Sequence, residues 1–177
     1  MNPLFFALRC RQTPAEASPL PPGFSGVLWR PSWRQRTPPG LPLLPFAVWW
    51  AFHQTRVFAN RDYRVFLIYD GARVVHRSCV FPGYFRFPFM EADDLQVGDT
   101  WTLPEYRGQG LARQALRETI RRLGRPDRRF WYLTESNNLP SIRVAQQVGF
   151  RLVGEGRRTH RCGLRILGSF ELDRAAA

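Results

Sequence analysis

At 177 residues, with a net charge of +12 and an apolar fraction of 44%, the chain is long enough for one domain with its own core and too apolar to stay disordered. All 26 basic residues are arginine, so there is no lysine to form a Schiff base or act as a nucleophile, and every basic group stays charged. The balance points to an anionic partner (a phosphorylated cofactor, a nucleotide-linked substrate or nucleic acid) or reflects nothing more than arginine-rich coding.

The opening residues, MNPLFFALRC, carry an apolar run with no basic residue before it and no small-residue cleavage site, which reads against a signal peptide. Met1 to Gly40 holds eight of the fifteen prolines and little periodicity, so it is expected to be an irregular arm with one short strand over Phe24 to Arg30. Leu41 to Phe58 is the most apolar stretch, too short to span a bilayer, and a membrane is not expected as a partner. Pro45 in a first turn followed by Phe46, Trp49, Trp50 and Phe52 predicts a buried helix.

Tyr63 to Tyr69 and Arg73 to Val80 are two β-branched and aromatic runs joined around Asp70-Gly71, a hairpin signal because both residues tolerate positive φ. The aromatics from Phe81 to Phe89 are broken by Pro82, Gly83 and Pro88 and predict a ring-anchored loop. The acidic residues Glu91, Asp93 and Asp94 follow, either as a solvated loop or as a site for a cationic amine. Leu95 to Leu103 reads as a strand, Ala112 to Leu123 as a helix, Phe130 to Thr134 as a buried strand and Asn138 to Val148 as a helix. After Phe150, RLVGEGRR and LRILGSFEL predict a closing antiparallel pair, and 175–177 a short tail.

Cys10, Cys79 and Cys162 are far apart and odd in number, which favours a reducing, cytoplasmic compartment over a disulfide framework. His53, His76 and His160 are scattered, and the H-x-C formed by His160 and Cys162 is no metal spacing, so no metal is expected.

Between the Leu95 strand and the next helix stands Pro104-Glu105-Tyr106-Arg107-Gly108-Gln109-Gly110-Leu111-Ala112. Two glycines beside a helix start let consecutive backbone N–H groups point at one anion, and the helix dipole with Arg107 and Arg113 adds attraction. A phosphate-bearing cofactor is the expected ligand. The loop lacks the Gly-Lys-Ser/Thr ending of a nucleoside triphosphate loop and the three-glycine spacing of a dinucleotide fold.

The pattern R-x-x-G-x-A from Arg107 to Ala112, followed by Asn138, Ser141 and the terminal Gly149-Phe150, resembles the GNAT superfamily of acyl-CoA-dependent N-acetyltransferases. The resemblance covers Asp94 to about Glu155. It implies a single α/β domain over 41–174 with a mixed sheet of six or seven strands and three or four helices. Two central parallel strands, Leu95 to Leu103 and Phe130 to Thr134, would be splayed where acetyl-CoA or another acyl-CoA enters.

By the same resemblance Trp101, Thr102 and Leu103 bond the pantetheine arm through their main chain, and an amide near Asp99 to Trp101 stabilises the oxyanion. Arg107, Gly108, Gln109, Gly110, Leu111, Ala112 and Arg113 hold the pyrophosphate. Asn138 and Ser141 contact the arm's far side, although Asn138 also suits helix capping. The acceptor would be a primary amine on a small metabolite, which the arginines favour as a nucleotide-linked amino sugar, or alternatively a protein N-terminus or ribosomal target. The carboxylates that could deprotonate it are, in order, Asp99, Glu135, Asp94, Asp93 and Glu91.

One position departs from the family. A tyrosine that protonates the departing thiolate is usual five residues before the G-F phenylalanine, and Ala145 stands there. Tyr132, Tyr106 or Ser141 could substitute, or the chain could bind acyl-CoA without transfer. Arg113, Arg117 and Arg121 share one helical face, either solvated or clamping a 3′-phosphate. No recognition helix or RNA-binding signature accompanies the charge, so nucleic acid is the least supported partner; monomer and homodimer both stay open.

Overall fold

In the computed structural model, residues 3–10, 19–159 and 168–174 are described. They form eight strands and three helices: β1 Pro3–Arg9, β2 Phe24–Trp29, α1 Leu43–Gln54, β3 Arg64–Asp70, β4 Arg73–Pro82, β5 Leu95–Thr102, α2 Leu111–Leu123, β6 Arg129–Glu135, α3 Leu139–Val148, β7 Arg151–Arg158 and β8 Phe170–Arg174. His160, Cys162, the residues 163–167 and the tail 175–177, about which the sequence made predictions, lie outside the described residues.

One mixed sheet runs in the order β2-β3-β4-β5-β6-β1-β7-β8. Every neighbouring pair is antiparallel except β5 and β6. The expected hairpin forms with a two-residue loop, Gly71-Ala72, because Asp70 pairs with Arg73 and Gly71 takes φ +55°. Alternation along β3 splits the core between two faces. Val65 and Leu67 pack with Phe46, Phe58 and Tyr63 on the α1 side, whereas Phe66 and Ile68 pack with Leu111 and Ala115 of α2 on the other. Helix α1 begins with an extended residue, Leu44 at ψ 135°, as expected of a residue that precedes proline.

The stretch expected to be an irregular arm contains two strands, and one of them is central. β1 pairs with β6 from Pro3↔Glu135 to Arg9↔Arg129 and with β7 on its other edge. Phe5 and Phe6 are each 1% exposed and point to opposite faces, so the strand is apolar on both sides and shows no alternation. Gly156 makes room for it: a Cβ there would stand 2.1 Å from the Phe5 ring. This extra strand takes the sheet to eight strands, one more than the upper expectation.

Candidate active site

The parallel pair is short. β5 and β6 are in register only from Leu95↔Phe130 to Val97↔Tyr132, although both strands continue. The cause is local: on the β4 side, Arg77 pairs with Trp101 and Cys79 with Gly98, so Asp99 and Thr100 together oppose Ser78. This is a β-bulge with Asp99 in the left-handed region at φ +44°, and such a bulge bends its strand away from the neighbour. Beyond Val97 the two strands diverge, and a cavity opens on each face of the sheet.

On the α2/α3 face lies a cavity of about 980 Å³. Thr100, Trp101 and Thr102 of β5 line it, together with Arg107 to Arg113, Tyr132, Asn138 and Ser141. Gly108 and Gly110 take φ +79° and +77°, so glycine is demanded there by backbone handedness; the space beside Gly108 is open. Gly110 is the N-cap of α2 and provides no side-chain cap, which leaves the first-turn N–H groups for a ligand. Arg113 Nε is buried with no hydrogen-bond partner among the described residues, and Arg107 Nε donates to the Thr102 carbonyl at 3.2 Å.

Asn138 does cap α3, accepting from the Ser141 N–H at 3.3 Å, and still lines the cavity. Pro140, Arg143, Val144 and Gln147 of α3 complete that wall, a helical-face pattern that sequence reading could have extended from Ser141. Leu103 is the exception among the predicted cofactor residues. Its N–H donates to the Val75 carbonyl and its side chain packs beside Phe66 and Leu111, away from the cavity.

The opposite face carries a smaller cavity of about 330 Å³, assembled from α1, β4, the loop after it, and β5 to β8. Tyr132 lines the larger cavity and Leu133 the smaller, as successive residues of one strand must. Asp99 belongs to this second cavity, where Arg77 Nη2 donates to its Oδ1 at 3.2 Å and Cys79 Sγ lies 3.7 Å from its Oδ2. Burial pushes the Cys79 thiol up, with the Asp99 charge adding to the shift, so sulfur stays protonated. Trp49 of α1 lines the same cavity while packing on Phe81, which makes it core and wall at once.

Between the cavities runs a buried hydrogen-bond chain absent from the sequence reading. His76 Nδ1 is hydrogen-bonded with Thr102 Oγ1 at 2.8 Å and its Nε2 with Ser78 Oγ at 2.9 Å, and Ser78 Oγ lies 3.2 Å from Thr100 Oγ1. The Tyr132 hydroxyl lies in the same cavity as Thr100 and Ser141. Burial lowers His76 to about 3, with Arg77 contributing, so the ring is neutral. Burial raises Tyr132, so its hydroxyl holds its proton.

The remaining predicted carboxylates stand elsewhere. Asp94 is 2% exposed at the paired end of β5, where it accepts from Trp131 Nε1 at 2.8 Å and the Glu91 N–H at 3.0 Å. Asp93 is clasped by fully buried Arg128, whose hydrogen bond holds it below the usual carboxylate range; Asp62 completes the pair at 2.9 Å from Arg128. Glu91 lies 3.7 Å from Arg129. The acidic cluster is therefore an anchor for the sheet's closed end and lines neither cavity. Glu135 is exposed at the end of β6, opposite Pro3, and also lines neither. Of the arginine row, Arg121 pairs with Glu118, as does its neighbour Arg122, while Arg113 reaches the larger cavity.

Among the described residues, no group of three metal-ligating side chains occurs and no helix is long and apolar enough to cross a membrane. No curated protein matches the chain. Solved structures do, at low identity. A GCN5-related N-acetyltransferase from Sphaerobacter thermophilus is 17% identical with a TM-score of 0.53, covering 85% of this chain and 48% of that one. A GNAT-family acetyltransferase from Colwellia psychrerythraea is 15% identical with a TM-score of 0.54, covering 85% and 52%. A tandem GNAT protein from the clavulanic acid biosynthesis pathway, solved without AcCoA, is 16% identical with a TM-score of 0.59, covering 85% and 50%. The chain thus spans about half the length of these proteins. The acetyltransferase (GNAT) family model matches residues 28–150, well over half of the chain, and leaves out β1. The chain belongs to the GNAT family of acetyltransferases, whose members take acyl groups from acyl-CoA.

Proposed function

We propose that the protein transfers an acetyl or short acyl group from acyl-CoA to the primary amine of a small acceptor. The observation that carries this is the pair of cavities on opposite faces of the sheet, both reaching the gap beyond Val97. A thioester can arrive from one face and an amine from the other.

The residues fit the cofactor. The first-turn N–H groups of α2 with Arg107 and Arg113 would hold its pyrophosphate, and the β5 edge at Trp101 and Thr102 with Asn138 and Ser141 would hold its arm. Acyl-CoA supplies an activated carbonyl. Asp99 is the carboxylate at the gap on the amine's side and takes up the amine's proton. Tyr132 keeps a proton on its hydroxyl in the larger cavity because burial raises its pKa. It shares a core cluster with Ala145, so a hydroxyl is present near the position where the family's usual tyrosine is missing. That hydroxyl weighs against the alternative reading, an acyl-CoA sensor without transfer. A nucleotide-linked amino sugar, suggested by net charge, is less suited to a 330 Å³ cavity than a single small metabolite. A cytoplasmic setting accords with the buried thiols Cys10 and Cys79.

The test is release of free thiol from acetyl-CoA across a panel of amines. Asp99→Asn should lower kcat/KM about 100-fold near neutral pH while coenzyme A binding by calorimetry is retained. Absence of coenzyme A binding in the wild-type protein would end this reading.

A further inference from the structure

Resting on the transfer reading above, we propose that the 330 Å³ cavity binds an apolar α-amino acid, whose carboxylate is recognised by Arg77, Arg86 and Arg158 and whose amine is the acyl acceptor. Among its described lining residues are those three guanidinium groups and one carboxylate, Asp99. The excess of positive charge between low-polarity walls repels polyamines and attracts an anion. The cations are braced by rings: Arg77 stands 5.5 Å from the Trp101 centroid, Arg86 5.9 Å from Tyr84 and Arg158 5.8 Å from Phe170. These cation–ring contacts hold the guanidinium groups at the cavity wall, and a guanidinium fork meets a carboxylate with two parallel hydrogen bonds. Arg77 Nε is buried and has no hydrogen-bond partner among the described residues.

Two further features narrow the class. Arg77 and Asp99 sit side by side at 3.2 Å, opposite charges adjacent as the ammonium and carboxylate of an α-amino acid are, so the ligand's head can lie against them in reversed order. Beyond the charged groups, Gln96 and Tyr84, the wall is Trp49, Phe81, Phe87, Leu133 and Phe170, which suits an aliphatic or aromatic side chain. At 330 Å³ the cavity lies at the small end of the ~300–1,000 Å³ range of ligand sites.

The experiment compares L-phenylalanine with L-phenylalanine amide and with its phosphonate analogue as acceptors from acetyl-CoA, using the whole protein. Expected is a kcat/KM at least about tenfold higher for the free acid than for the amide, the size of one lost charge-assisted contact. The amide has the less basic amine and would win on amine availability alone. Arg158→Gln, or Arg86→Gln should the first not fold, is expected to pull the acid-to-amide ratio towards one, with coenzyme A binding as the check on folding. Equal handling of acid and amide by the wild-type protein overturns the proposal and leaves transfer standing; a tenfold preference for the phosphonate overturns the carboxylate assignment. Calorimetry of N-acetylphenylalanine and its methyl ester on the coenzyme A-bound protein measures the same discrimination without turnover. Binding of the acid alone, with no thiol released from any amine, supports the site and overturns transfer. Binding of neither overturns the site.

Discussion

The two ends of the β5–β6 pair use the same residue types to opposite effect. At the closed end, Arg128 is fully buried, bonded to Asp62, Asp93 and the Leu123 carbonyl, and Asp94 is satisfied by Trp131. At the open end, Arg77 and Asp99 face one cavity and Arg113 the other. Arginine and aspartate at the closed end are consumed by each other and by the backbone, so their charge holds strands together. Five residues further along, the bulge at Asp99 parts the strands, and Arg77 and Asp99, although paired with each other at 3.2 Å, both line a cavity. Whether a charge is structural or available to a ligand is thus decided by strand register, and composition is blind to it.

The largest expected effect is at the closed end. Arg128→Ala should leave Asp62 and Asp93 without their buried counter-charge and lower the free energy of unfolding by about 3 kcal/mol. Urea denaturation measures it. A loss below about 1 kcal/mol would mean that the closed end is not held by its charges, and the contrast would dissolve. At the open end, Gly110→Val forces a β-branched residue to φ +77°, at about 1–3 kcal/mol of strain. Coenzyme A affinity should fall by about tenfold to 100-fold in calorimetry, with the urea midpoint moving no further than for Arg128→Ala.

The smallest effect sharpens the comparison beneath the gap. His76 is held neutral in the fold, at about 3 against an ordinary 6.5, so the unfolded chain binds the extra proton first as pH falls. The stability that comes from this is fully present above pH 6.5 and is lost on descending towards 3, at up to about 1.4 kcal/mol per pH unit. His53, lowered chiefly by its own burial, adds in the same direction. His76→Gln should flatten the slope of the urea midpoint between pH 6.5 and 4.5; an unchanged slope would mean that the ring is not held neutral.

The larger cavity was legible because its loop is local. Arg107 to Arg113 is one contiguous run whose glycines carry their own backbone geometry, and the strand before it and the helix after it announce themselves by periodicity. Leu103 escaped because main-chain partners, here the Val75 carbonyl, leave no mark in sequence. The smaller cavity draws on Trp49, Arg77, Arg86, Asp99 and Arg158, which only the strand order brings together. The acidic cluster was ambiguous for the same reason: Asp93 meets its cation 35 residues away. β1 was hidden because a strand buried on both faces shows no alternation, and its proline-rich surroundings pointed to coil.

The place of β1 also orders events during synthesis. Pro3–Arg9 leaves the ribosome well before the strands whose edges it joins, Arg129–Glu135 and Arg151–Arg158. At about 5–20 residues per second, on the order of ten seconds pass before both edges exist. Throughout that interval two phenylalanines destined for opposite faces of the sheet lack the strands that will flank them, so the nascent chain carries this apolar segment unsheltered until β6 and β7 have been made.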